Sequence, residues 1–311
     1  MSTLRLVDPA ARDAVSAMEP FDPASGLAKM RETVLATFAG EPAPRQERMI
    51  PGPPDAPDIR VLIYRPDHPD ERQPAILYLF GGGFISGAPD MMDTARFKLA
   101  QDHGAVVVAP AYRLAPETPF PGPVEDCYAA LAWLWNEADA LGVDRTRIAV
   151  IGQSAGGGLA AALALLVRDR GAFSLKAQFL IYPMLDPRTG TGDAPTDNPM
   201  TGEFGWTRAA NRFGWNAMRG SGEIPDERLG HFAPALAGDV SGLPETFIAV
   251  GALDLFLEED AAFALRLTRA GVPVAAHVYP GAVHGFDMFP GALADEFNAD
   301  LHAAIERFLR S

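Results

Sequence analysis

Residues Gly152-Gln153-Ser154-Ala155-Gly156 stand between an apolar run, Ile148-Ala149-Val150-Ile151, and an unbroken stretch of small and aliphatic residues from Leu159 to Val167. A strand that enters a tight turn and leaves it as a helix packed on a parallel sheet is what such a sequence dictates. A serine in that turn occupies a sharp, strained bend, and glycine flanks it because a side chain there would strike neighbouring backbone. Its hydroxyl projects above the sheet, where it is a candidate nucleophile once a base removes its proton. The five-residue pattern alone is weak, since an ordinary Gly-rich strand-to-helix turn also carries it. The strand before it and the helix after it give it weight.

The rest of the chain repeats this rhythm. From Ile59 onward short apolar runs alternate with longer helical patterns, which reads as an α/β fold: a mostly parallel central sheet flanked by helices on both faces. Strands are expected at Arg60 to Tyr64, Ala75 to Phe80, Val106 to Ala109, Ile148 to Ile151, Gln178 to Tyr182, Thr246 to Val250 and Val274 to Tyr279. Helices are expected near Met91 to Asp102, Val124 to Ala138, Ala155 to Arg168, Glu258 to Ala270 and Ala294 to Leu309. Two regions break the alternation: residues 1–50, before the first strand, and about 186–242, between two strands. A structureless loop of that length is improbable in a compact domain. Both are read as a helical cap over the strand ends, the first as its N-terminal part and the second as an insertion in a domain spanning 51–311. The cap aromatics Phe204, Trp206, Phe213 and Trp215 suit either a pocket lining or cap packing.

Charge and cysteine content narrow the function. The 311 residues are 48% hydrophobic and carry a net charge of −14, which disfavours phosphate backbones and anionic membrane surfaces. Nucleic acid and membrane are therefore not expected partners. The one cysteine, Cys127, falls in an apolar helical stretch, so it forms no intrachain disulfide and reads as a buried thiol. With no apolar leader in Met1 to Met18 and no run long enough to span a bilayer, the expected location is cytoplasmic.

In an open α/β sheet, ligands bind outside the carboxyl ends of the strands, so residues just after strands are those that can converge. Ser154, Asp254 and His284 meet that test, and their order along the chain suits a serine triad. His284 would accept the Ser154 proton and return it to the departing group, with Asp254 orienting the imidazole. His68, His103, His231, His277 and His302 lie in helical, strand or polar segments and read as surface or packing residues. Glu258, Glu259 and Asp260 fall where a helix begins and acids are favoured anyway. The histidines are scattered without a ligand cluster, so no metal is expected. Gly81-Gly82-Gly83 after the strand ending at Phe80 supplies a home for an oxyanion, with the amides of Gly82, Gly83 and Ala155 as donors. Arg113 and Glu117 are spaced for an ion pair bracing the adjoining loop.

These segments resemble the hormone-sensitive-lipase-like family of α/β-hydrolases, which includes the bacterial family IV esterases. Gly81-Gly82-Gly83-Phe84 resembles its oxyanion motif, Tyr112-Arg113-Leu114-Ala115-Pro116-Glu117 its segment after the next strand, and Gly152 to Gly157 its elbow. Asp254 and His284-Gly285-Phe286 resemble the remaining triad positions. The resemblance implies an α/β-hydrolase fold with a cap, a small-molecule ester of short to medium acyl chain as substrate, and no cofactor. A homodimer is common in the family. The chain departs from the pattern twice: Phe80 stands where the family usually has His, and Gln153 where it usually has Asp. The same machinery also suits an aryl formamide, a carbamate or a lactone, or a binding protein on the same scaffold, against which His284 argues.

Overall fold

The computed structural model describes residues 2–18, 26–38 and 41–310. Eight strands, β1 (Gln46–Ile50), β2 (Ile59–Tyr64), β3 (Gln73–Leu79), β4 (Val106–Pro110), β5 (Val143–Gln153), β6 (Ala177–Ile181), β7 (Glu245–Gly251) and β8 (Val274–Tyr279), form one sheet. Their order is β1-β2-β4-β3-β5-β6-β7-β8, antiparallel at β1–β2 and β2–β4 and parallel at every later step. The helices are α1 (Arg12–Ser16), α2 (Leu27–Thr37), α3 (Asp93–His103), α4 (Gly122–Asn136), α5 (Ala138–Leu141), α6 (Ala155–Arg170), α7 (Arg208–Arg219), α8 (Leu229–Phe232), α9 (Leu257–Arg269) and α10 (Ala292–Arg310). None of them is long and apolar enough, among the described residues, to cross a membrane.

The near-continuous apolar strands exist because both sheet faces are covered. Side chains alternate between faces along each strand. Val61, Ile63, Leu77, Val108, Val150 and Leu180 join Leu131 and Leu134 of α4, Leu159 and Leu163 of α6, and Phe263 and Leu267 of α9 on one face. Leu62, Ile76, Val107, Ile151, Phe179 and Phe247 meet Leu99 of α3 and Phe297, Leu301 and Ile305 of α10 on the other. Each such side chain fully buried contributes about 1.5–3 kcal/mol. Cys127 is buried in the first layer, where desolvation pushes its thiol well above the ordinary range.

The parallel registers set the strand ends in a row. Leu79 of β3 pairs with Gly152 of β5, Gln153 with Ile181 of β6, Ile181 with Ala249 of β7, and Gly251 with Tyr279 of β8. The loops that follow these residues therefore emerge side by side.

One expectation shifts. Gln46–Ile50, included in the N-terminal cap segment, is the edge strand of the sheet, paired with β2 from Gln46↔Ile63 to Ile50↔Ile59. Four of its five residues are exposed, so it carries no apolar alternation and is held by backbone pairing. Residues 1, 19–25 and 39–40 of that segment lie outside the described residues. The insertion after β6 holds α7, α8 and two 3₁₀ turns, Asp226–Arg228 and Pro234–Leu236.

Candidate active site

The elbow is built as its sequence requires. Ser154 has φ 56° and ψ −122°, a conformation that costs about 1–3 kcal/mol for a non-glycine residue and persists because its surroundings hold it. Its amide donates to Ile181 O at 2.9 Å, and its carbonyl accepts from Gly158 N and Met184 N at 3.0 Å each. A Cβ on Gly152 would fall 2.1 Å from Gly156 O, and one on Gly156 would fall 2.2 Å from Leu79 O, so only glycine lets the turn close this tightly.

Three side chains meet at this point. His284 Nε2 lies 2.9 Å from Ser154 Oγ, and its Nδ1 lies 2.8 Å from Asp254 Oδ2. Ser154 and Asp254 are 7% and 0% exposed, so the hydrogen bonds that each makes to His284 are shielded from bulk water. Asp254 is fixed in turn by the Phe256 amide, which donates to its Oδ1 at 3.0 Å. Two aromatic rings stand edge-on to the imidazole, Tyr182 at 4.7 Å and Phe256 at 5.2 Å between centroids. With a neutral His284, Asp254 selects the Nδ1–H tautomer and leaves Nε2 free to accept the serine proton.

The competing residues lie elsewhere. His277 pairs with Asp300 at 3.2 Å, His231 with Asp169 at 2.7 Å, and the His103 and His302 rings contact each other at 4.7 Å. Glu258 accepts from Asn198 Nδ2 at 2.9 Å, and Glu259 from the amides of Leu185 and Asp186 at 2.6 and 3.2 Å. Burial pushes the carboxyls of Glu259 and Asp260 well above the usual range. Among the described residues no group of His, Cys, Asp and Glu is placed to hold a metal ion.

Gly82 and Gly83 form a turn beside the elbow. The Gly82 carbonyl accepts from Ile85 N at 3.1 Å and from Ser86 N and Oγ at 3.0 Å each. Among the described residues, no protein acceptor takes the amide of Gly82 or Gly83. Ala155 is the first residue of α6, where amides have no partner within the helix and the helix dipole favours negative charge. The arrangement thus offers a hydroxyl, a base and donors for developing negative charge.

Phe80 supports this turn by packing. Its ring stacks on Tyr112 at 4.1 Å and 9°, and the Tyr112 hydroxyl donates to Phe80 O at 2.6 Å. The expected Arg113–Glu117 pair does not form. Arg113 grips the fully buried Asp126 of α4 through Nε at 2.8 Å, Nη2 at 2.7 Å and its amide at 2.9 Å. Glu117 instead pairs with Arg31 of α2, twice at 2.7 Å, while Arg31 also donates to Ile85 O and Ala115 O. Spacing of four residues brings side chains together on a helix, and this segment is not helical.

The insertion reaches the same loops. A Cβ on Gly83 would fall 2.2 Å from Trp206 Cη2, and one on Gly205 would fall 2.7 Å from His284 O. Trp215 meets Phe84 edge-on at 5.0 Å, Phe213 packs against the main core, and Phe204 packs with Val7, Val15, Leu253 and Val283. Sequence reasoning missed Tyr182 and Asp287, which contact each other at 2.7 Å next to His284. Tyr182 directly follows β6, the signal that singled out the other three residues; Asp287 lies well past the end of β8, in the 3₁₀ turn Phe286–Met288, where that signal does not point.

Residues 76–288 match the family defined by the α/β hydrolase fold. The chain belongs to that family. Within it, the chain falls among the hormone-sensitive-lipase-like serine hydrolases that its motifs resemble. It is 34% identical over 258 residues to an ethyl acetate hydrolase of Pseudomonas putida, covering 81% of this chain and 78% of that one. Over 240 residues it is 37% identical to the carboxylesterase NlhH of Mycobacterium tuberculosis, covering 75% and 72%. Among solved structures, a bacterial heroin esterase superposes with a TM-score of 0.89 at 34% identity over 100% of both chains.

Proposed function

We propose that this hydrolase cleaves carboxylic esters of short to medium acyl chain through an acyl-enzyme on Ser154. The observation that carries the reading is the continuous hydrogen-bonded line from Ser154 Oγ through His284 to Asp254, at 2.9 and 2.8 Å. Ser154 Oγ attacks the ester carbonyl as its proton passes to His284 Nε2, and Asp254 stabilises the imidazolium. The negative charge on the carbonyl oxygen is met by the amides of Gly82, Gly83 and Ala155. Collapse of the tetrahedral intermediate breaks the bond to the alkoxy group, which takes the proton from His284 and leaves as the alcohol. Water then repeats the sequence: it gives a proton to His284, attacks the acyl carbon and releases the acid and the free serine.

Ester substrates are supported by the relatives named for ester hydrolysis, and a confined acyl site by Trp206 standing against Gly83. Residues before β1 and the insertion at about 186–242 act as the cap in this reading. A cytoplasmic location accords with the buried, unpaired thiol of Cys127. Hydrolysis of p-nitrophenyl acetate, butyrate, octanoate and laurate by the wild type and by Ser154→Ala tests the proposal. Turnover that favours the shorter chains and vanishes in the variant is expected. Full turnover by Ser154→Ala would refute it.

A further inference from the structure

A second polar chain joins the loops that carry Ser154 and His284. Gln153, the residue before Ser154, donates through Nε2 to Asp287 Oδ2 at 3.1 Å. The Tyr182 hydroxyl donates to Asp287 Oδ1 at 2.7 Å, and the Tyr78 hydroxyl donates to Gln153 Oε1 at 2.6 Å. The buried Arg96 guanidinium lies 4.4 Å above the Tyr78 ring. Four elements thus contribute: β3 through Tyr78, β5 through Gln153, the residue after β6 through Tyr182, and the loop after β8 through Asp287. Each oxygen of Asp287 has one donor, and both polar atoms of Gln153 are used. Apart from Ser154 with His284, the Gln153–Asp287 bond is the one hydrogen bond among the described residues that joins the elbow to the His284 loop.

We propose that Gln153 and Asp287 are a positioning pair that holds the Ser154 elbow and the His284 loop at reacting distance. The inference rests on Ser154 and His284 being the reacting groups. Asp254 orients His284 from the loop after β7 and has no bond to the elbow, so it fixes the imidazole without fixing its distance to the serine. A misplacement of about 1 Å between reacting groups costs on the order of 100-fold in rate.

The polarity of the pair has one sense. Here the amide stands at 153, and the carboxylate comes from the opposite side at 287. Gln153→Glu would set two carboxylates against each other, and they would separate or share a proton. Asp287→Asn would leave one of the two donors to Asp287 without an acceptor. Making both changes together restores every match. The Tyr78 hydroxyl and the new amide at 287 donate to the carboxylate at 153, and the Tyr182 hydroxyl donates to the amide oxygen at 287.

The test is a double-mutant cycle of Gln153→Glu and Asp287→Asn, following kcat and KM on p-nitrophenyl butyrate with the melting temperature of each variant. Each single change is expected to lower kcat by about 10- to 100-fold, with KM little changed. The double variant is expected to regain most of that loss. A double variant whose loss is the product of the two single losses overturns the proposal, as do single variants with wild-type kcat. Should either single variant fail to fold, Tyr78→Phe removes only the donor to Gln153 Oε1, and a lowered kcat is again expected; an unchanged kcat overturns the proposal. Ser154→Ala is assayed beside them. Its retention of turnover would remove the reacting pair itself, whereas an inactive Ser154→Ala with an additive cycle removes only the positioning role.

Discussion

Gly83→Ala is the change that most directly probes how the insertion after β6 bears on chemistry. Gly83 has φ +62°, and the added carbon would lie 2.2 Å from Trp206 Cη2 and 2.6 Å from Cζ2. The indole cannot give way freely. It is 7% exposed, its Nε1–H donates to Asn211 Oδ1 at 3.1 Å, and Asn211 donates to Thr189 O at 2.8 Å. Left-handed backbone costs alanine about 1–2 kcal/mol and overpacking costs about 1–3 kcal/mol, so a loss of about 2–5 kcal/mol in stability is expected. If the backbone yields instead, the Gly83 amide leaves its place, and with the oxyanion role proposed for that amide kcat should fall by about 10²- to 10³-fold. Calorimetry and steady-state kinetics on p-nitrophenyl acetate separate the two. Trp206→Ala is itself costly, yet in that background Gly83→Ala should cost much less than in the wild type, because the ring is what the carbon strikes. A Gly83→Ala variant with wild-type melting temperature and kcat would show that neither the ring nor the amide is held as described.

Two further outcomes follow from the side chains around the site. The Arg31 guanidinium holds the Glu117 carboxyl down to about 2. A carboxyl depressed in the folded state stabilises above its ordinary value of about 4.3, and that contribution fades as pH falls toward about 2. The gap in melting temperature between wild type and Glu117→Gln should therefore shrink over that window. It should be small throughout, since an exposed pair is worth under about 1 kcal/mol; a gap that widens with acid contradicts the pairing. Asp126→Ala leaves the Arg113 guanidinium without its buried partner and should cost about 3 kcal/mol by urea denaturation. A loss no larger than that of Glu117→Gln would contradict the bracing role of Asp126.

The sheet was legible because its strands are buried on both faces and so read as uninterrupted apolar runs. Where that cause is missing the sequence is silent. β1 is polar and exposed, and β5 begins at Val143 through Asp144, Arg145 and Thr146, ahead of the apolar run at Ile148. The convergence of Ser154, Asp254 and His284 was legible because strand ends and chain order restrict which residues can meet. Gln153 stands out in the sequence, yet its partner Asp287 belongs to no local pattern; only the successive registers of β5, β6, β7 and β8 bring them together. The Arg113 misassignment has the same origin. Its true partner lies 13 residues away on α4 and is fully buried, which no spacing rule reveals.

The row of aligned strand ends also governs when the site can come into being. Ser154 and His284 are 130 residues apart along the chain, and His284 and Asp254 are 30 apart. Closing such loops costs chain entropy before any contact repays it, so pairings of this kind form late and slowly. No fragment short of β5 through β8 contains all three groups in register. Recovery of esterase turnover during refolding should then trail the return of helical signal and report completion of the β5–β8 half of the sheet, making the reaction a clock for the last long-range step of folding.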